Sequence, residues 1–282
     1  MHARIIKSIL LLMLVTSLSV CQTQKVTSKD GVEIVYVAEG EGNTALVFIH
    51  GWSCDKSYWF EQMKVFSPKY KVVAIDLGGH GESGFARENW TVESYGEDVA
   101  AVVNHLKLDK VILIGHSMGG YVIIEAAKLL KAKILGLVGA DTYQSFTDDW
   151  SAEQKEGFLK PFNDNFSETT KGFVKSMFPQ TADSMLVKKV TEDMSSASPQ
   201  VAVSAMRNLF FYDPVPVLKE INLPIISINC DMYPVSVDEN KKYVKSFEVK
   251  MLKGVGHFVM LEKPEEFDNL LDETVAELIK DK

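Results

Sequence analysis

The sequence predicts an α/β domain built on a mostly parallel, doubly wound sheet of about eight strands, and three observations carry that prediction. Apolar runs without strict alternation recur at 44–49, 71–77, 110–116, 133–140 and 225–230, with one more at 249–255. Strands buried on both faces read this way. Helix-like stretches separate them, at 57–66, 91–106, 118–130, 237–246 and 264–279. Ahead of all of these, 25–28 and 32–38 flank Lys29-Asp30-Gly31. Asp-Gly between such segments is a strong hairpin signal, so two antiparallel strands open the domain. In an open sheet of this kind, ligands belong beyond the carboxyl ends of the strands.

The helical stretches at 91–106 and 264–279 carry end signals. Thr91-Val92-Glu93-Ser94 and Pro264-Glu265-Glu266 give acidic first turns, and Lys280 and Lys282 sit near the last helix's end, as the helix dipole favours. The chain has 282 residues, 46% hydrophobic and 24% charged, enough apolar content for one large domain with an inserted subdomain. Its net charge of -8, without clustered Lys and Arg, argues against a nucleic-acid partner. No internal repeat or low-complexity tract interrupts it.

Residues 1–21 read as a targeting segment. His2, Arg4 and Lys7 form a basic region, Ser8 to Val20 is an uncharged apolar run, and Cys21 follows Leu18-Ser19-Val20. The run is short for a membrane span, which takes about 20 residues. An exported protein is expected. The position of Cys21 resembles a bacterial lipoprotein signal, with Val20 where a small residue is usual, so a periplasmic or cell-envelope lipoprotein attached to the membrane through Cys21 and an ordinary secreted protein both stay open. The other two cysteines, Cys54 and Cys230, follow strands that this fold would not place side by side, and free thiols are expected.

The densest chemical signal is Val111-Ile112-Leu113-Ile114-Gly115-His116-Ser117-Met118-Gly119-Gly120, with a helix-like run following at once. Strand, tight turn and helix occur in the order that a nucleophile elbow requires. A serine at the apex of so sharp a turn sits in strained backbone, and Gly115 and Gly119 must lack a Cβ for strand and helix to approach. Ser117 is therefore the candidate nucleophile. The helix that starts beneath it offers free N–H groups and a positive dipole end to an oxyanion.

With three further motifs in the same order, the chain resembles the α/β-hydrolase fold superfamily from about Lys25 to its C-terminus. Val47-Phe48-Ile49-His50-Gly51-Trp52 resembles the strand and His-Gly-x loop that supplies an oxyanion donor, Asp76-Leu77-Gly78-Gly79-His80-Gly81-Glu82-Ser83 the D-x-x-G-x-G-x-S loop, and Gly256-His257-Phe258 the loop of the catalytic histidine. The resemblance implies an oxyanion hole from the backbone N–H groups of Trp52 and Met118, and His257 as base and then acid. It gives His50 a structural role, and His80 is read as part of its glycine loop. The triad's acid is open between two aspartates. Asp231 follows the strand 225–230 and keeps the chain order Ser, Asp, His, and it is the first choice. Asp141, at the end of the strand after the nucleophile helix, is the alternative, with Asp238 behind both.

The resemblance also divides the chain into an α/β core, 25–141 and 213–282, and a helical cap, 142–212. Phe and Met residues recur through the second region, Phe158, Phe162, Phe173, Met194 and Met206 among them. Most would form the cap's own core, and as a group they predict a pocket that favours an apolar or aromatic group over a charged one. The expected activity is that of a serine hydrolase cleaving an ester-like bond of a small or medium apolar substrate, with no metal or organic cofactor. Lactones, thioesters, peracid formation and carbon–carbon cleavage fit the same triad, and a ligand-binding or signalling homologue with little turnover is the alternative from another class.

Overall fold

The computed structural model describes residues 22–280; the export signal expected at 1–21, Cys21 included, lies outside them. Strands β1 (Gln24–Thr27) and β2 (Glu33–Glu39) pair antiparallel across the Asp30-Gly31 turn, where Gly31 takes φ +91°. β2 in turn pairs antiparallel with β4 (Lys71–Ile75). The remaining strands, β3 (Ala45–Ile49), β5 (Val111–His116), β6 (Ile134–Ala140), β7 (Pro224–Cys230) and β8 (Ser246–Leu252), run parallel, giving an 8-stranded sheet in the order β1-β2-β4-β3-β5-β6-β7-β8. β3 and β5 are buried at every position, which is why their sequences are apolar without alternation.

Register decides what the sheet can do. Ile49 lies opposite Gly115 and His116 opposite Ala140, so the loops leaving β3, β5 and β6 emerge side by side at one edge. Trp52, Ser117 and Asp141 all stand on those three loops.

Both faces are covered by helices. α1 (Phe60–Phe66) follows a 3-10 turn at Lys56–Trp59, and α2 (Val92–His105) starts at a capping box in which Thr91 and Ser94 bond reciprocally. α3 (Met118–Leu130) follows β5. After β6 come α4 (Ala152–Asp164), α5 (Phe166–Ser176), α6 (Ser184–Ser195), α7 (Pro199–Phe211) and α8 (Val215–Ile221). Two short helices, α9 (Val237–Asn240) and α10 (Val259–Glu262), precede the last, α11 (Pro264–Lys280). α2, α3 and α8 pack as one group, and α1 packs with α11. Trp59 wedges between sheet and helix, 5.1 Å from Phe48 and 6.1 Å from Phe267 between ring centres. Among the described residues no helix is long and apolar enough to cross a membrane. Cys54 and Cys230 are buried free thiols.

Two elements differ from expectation. The helix expected over 237–246 ends at Asn240, because that side chain is buried and bonded to Phe146 N at 2.9 Å and Tyr143 O at 2.7 Å. The chain is then free to enter β8 at Ser246, earlier than the strand expected from 249. α8 is not among the helices expected from the sequence; it buries Val217 and Leu218 and stops at Asn222, which takes the left-handed φ of 47°.

Candidate active site

Ser117 sits between β5 and α3 with φ 52° and ψ -119°, a conformation that costs a non-glycine residue about 1–3 kcal/mol. What holds it there is close packing on both sides. A Cβ on Gly115 would lie 2.3 Å from Gly119 O, and one on Gly119 would lie 2.6 Å from Ile49 O, so strand and helix meet only because both residues are glycine. Ser117 N donates to Ala140 O at 3.1 Å, and Gly120 N donates to Ser117 O at 2.9 Å.

Two backbone donors stand ready beside it. Met118 is the first residue of α3, and Trp52 lies on the turn after β3. Among the described residues neither backbone N–H has a hydrogen-bond partner, which is the condition an oxyanion site needs. The Trp52 indole is fixed separately. Its Nε1 donates to Ala202 O of α7 at 2.7 Å, and its ring meets Phe162 and Phe173 edge-on at 5.7 and 6.2 Å.

His257 is held at three points. Its Nδ1 donates to Asp141 Oδ2 at 2.6 Å, its backbone N donates to Met177 O at 2.9 Å, and its carbonyl accepts from His116 Nε2 at 2.9 Å. The Asp141 bond occupies Nδ1 and leaves Nε2 as the nitrogen open to a proton from Ser117. The Asp141 side chain is 0% exposed and its backbone takes φ 42°; its Oδ1 accepts from Cys230 N at 3.0 Å.

The first choice of acid, Asp231, is not on the histidine. It is exposed, and its Oδ1 accepts from Gly254 N at 2.9 Å in the turn before the histidine loop. The reason is topological. Asp141 leaves β6, the immediate neighbour of β5, while Asp231 leaves β7, one strand farther from Ser117. Asp238, in the first turn of α9, is exposed. The structure therefore brings together Ser117, His257 and the alternative acid Asp141.

Three other histidines, His50, His80 and His116, are buried. His50 Nδ1 donates to Gly51 O at 2.8 Å and its Nε2 accepts from Leu77 N at 3.1 Å; burial pushes its pKa down to about 4. His80 Nδ1 donates to Gly78 O at 3.0 Å, and burial lowers its pKa to about 3. Burial also holds His116 well below its ordinary value, with the adjacent His257 adding to the effect. All three are neutral structural groups near pH 7.

Ser117 and His257 open into a cavity of about 700 Å³ whose walls include Trp52, Phe158, Met177, Met206 and Phe210. Among the described residues no Asp, Glu, Lys or Arg lines it. Such a cavity suits an uncharged group. Glu262 escaped the sequence reading. Its carboxylate accepts from Gly256 N at 2.9 Å and from Phe258 N at 3.2 Å, so it grips the histidine loop on both sides. An acid five positions after His257 was the one available signal. Among the described residues no three His, Cys, Asp or Glu side chains gather as a metal site would require.

The alpha/beta hydrolase fold family matches residues 44–201, more than half of the chain and including the oxyanion loop and the elbow. The chain belongs to the alpha/beta hydrolase family. This hydrolase is 26% identical to 3-oxoadipate enol-lactonase 1 of Acinetobacter baylyi over 86% of its own length and 92% of the relative's. It is 25% identical to Karrikin insensitive 2 receptor IA of Petunia hybrida, over 80% and 88%. A dihydrolipoyllysine-residue acetyltransferase component of an acetoin cleaving system from Pseudomonas putida is 38% identical over 98 residues, where the chain spans only 26% of the relative's length. A thermophilic esterase from Thermogutta terrifontis superposes with a TM-score of 0.78 over 91% of this chain and 99% of that one at 24% identity, a likeness of fold.

Proposed function

We propose that the protein is a serine ester hydrolase with Ser117 as nucleophile, His257 as general base and then acid, and Asp141 as the acid that orients the imidazole. The observation that carries this reading is the 2.6 Å bond from His257 Nδ1 to Asp141, beside a strained serine and two unpartnered backbone N–H groups. Asp141 fixes the tautomer and stabilises the imidazolium as His257 Nε2 takes the Ser117 proton. The Ser117 oxygen attacks the ester carbonyl, and the carbonyl oxygen becomes an anion between Trp52 N–H and Met118 N–H. Collapse of this intermediate breaks the carbon–oxygen bond, and His257 returns the proton to the leaving alcohol. Water, activated by the same histidine, then frees the acid from the acyl-enzyme.

The uncharged cavity supports a small or medium apolar ester as substrate, and the enol-lactonase relative supports acyl-transfer chemistry at a carboxylic ester bond. We read 142–212 as a cap, since Phe158, Met194 and Met206 of α4, α6 and α7 wall the cavity. The sequence of residues 1–21 supports an exported, envelope-attached or secreted setting.

Multiple turnover of neutral p-nitrophenyl esters tests the reading. Turnover is expected in the wild type, with charged acyl groups disfavoured, and Ser117→Ala is expected to lose roughly 10³-fold or more in kcat with the fold intact. An unaltered rate in that variant contradicts the mechanism; tight binding without turnover by the wild type points instead to a ligand-binding homologue.

A further inference from the structure

A second cavity, of about 240 Å³, adjoins the active-site cavity, and Trp150, Leu209 and Phe210 line both. These three side chains are therefore the partition between them. The Trp150 and Phe210 rings stack at 6.0 Å with planes 28° apart, and Phe158 meets them edge-on at 5.8 and 5.1 Å. The main chain that carries the indole is held locally: the backbone N–H of Trp150 donates to Asp148 Oδ1 at 2.9 Å, and Lys155 Nζ of α4 donates to Asp148 Oδ2 at 3.0 Å. Yet Trp150 is 47% exposed, so it closes the cavity without forming part of the deep core.

The two compartments differ in chemistry. The active-site side has no charged wall other than what His257 can carry, whereas Tyr121, Asp148 and Lys155 line the far side. A chain that grew along the apolar cavity would meet the Trp150 face, and beyond it a polar chamber. We propose that Trp150, backed by Phe210, is the specificity-determining residue that limits substrate length, so that the enzyme takes compact uncharged esters and rejects long straight-chain ones. The inference rests on the ester-hydrolase reading for its kinetic consequence, while the partition itself is a property of the cavity.

Two measurements separate these. In the first, straight-chain primary alcohols of increasing length are titrated calorimetrically into Ser117→Ala protein, which needs no turnover. Affinity is expected to rise about threefold to fourfold per methylene until the chain reaches the wall, then to stop rising. In Ser117→Ala/Trp150→Ala, and in Ser117→Ala/Phe210→Ala as a second opening of the same wall, the plateau is expected to move out by at least two methylenes; Trp150→Phe in place of Trp150→Ala is expected to leave it where it was. Coincident plateaus in whichever opened variant keeps the parent's melting temperature overturn the proposal. In the second measurement, kcat/KM over an ester chain-length series is expected to shift its optimum to longer chains in Trp150→Ala. An unshifted optimum again contradicts it. Absence of ester turnover in the wild type overturns only the hydrolase reading, and the alcohol titration still decides the partition.

Discussion

Glu262 does for the histidine loop what Asp141 does for the imidazole. A single carboxylate takes the N–H groups of Gly256 and Phe258, the residues on either side of His257, and its burial raises its pKa above the ordinary glutamate value. Charge-assisted bonds of this kind contribute about 1.5–3 kcal/mol each when buried, less where solvent reaches them. Glu262→Ala is therefore expected to lower kcat roughly tenfold while KM stays within about twofold, read by steady-state kinetics on a neutral ester. A raised KM with kcat unchanged would show that the loop shapes binding instead. At this scale the sequence was legible wherever the chemistry is local. Ser117, Met118 and Trp52 are marked by glycines a residue or two away, because a sharp turn needs them nearby. The choice between Asp141 and Asp231 was not legible, since a carboxylate-to-imidazole bond spanning 116 positions leaves no short-range pattern. It depends on which strand end adjoins β5 and on the left-handed backbone of Asp141, which only the assembled sheet supplies.

Between elements, the helices after β6 are tied to the loops of the candidate site by the residues of those loops. Trp52 Nε1 reaches Ala202 O on α7, and His257 N reaches Met177 O just past α5. The residue whose backbone N–H is proposed for the oxyanion thus has its side chain anchored in the opposite wall. Trp52→Phe keeps a ring against Phe162 and Phe173 but loses that anchor. A net hydrogen bond is worth about 1 kcal/mol, so kcat is expected to fall about fivefold with little change in KM. A change confined to KM would mean that the indole acts only as cavity wall. Strands were legible at this level because β3, β5, β6 and β7 are buried along almost their whole length and are therefore mostly apolar. α9 was not, because it is cut short by Asn240 reaching Tyr143 and Phe146, a tertiary tether with no local signature.

For the molecule as a whole, buried neutral histidines make the fold sensitive to acid. His50 titrates near 6.5 when unfolded and at about 4 in the fold, so the unfolded chain takes up its proton first; stability is fully present above pH 6.5 and is lost as pH falls toward 4, by roughly 3 kcal/mol from this group. His80, whose ring lies 5.0 Å from His50, acts in the same direction down to about pH 3. Buried Asp76 and Asp98, whose pKa values burial raises, oppose it, so the variant is compared with the wild type at each pH. His50→Gln is expected to be less stable at pH 7 but to lose less melting temperature between pH 7 and 4.5. Parallel curves would show that His50 is not the acid-sensitive group. The same sheet that buries these histidines gathers the groups proposed to react, since β3, β5 and β6 end together and deliver Trp52, Ser117 and Asp141 to one edge where His257 closes the set. That convergence is tested most directly by kcat for a neutral p-nitrophenyl ester in Asp141→Asn beside Asp231→Asn. The expected result is a loss of about 10³- to 10⁴-fold in Asp141→Asn, which holds the wrong tautomer of His257, and a change of less than about threefold in Asp231→Asn. A large loss in Asp231→Asn with Asp141→Asn near wild type would contradict the account.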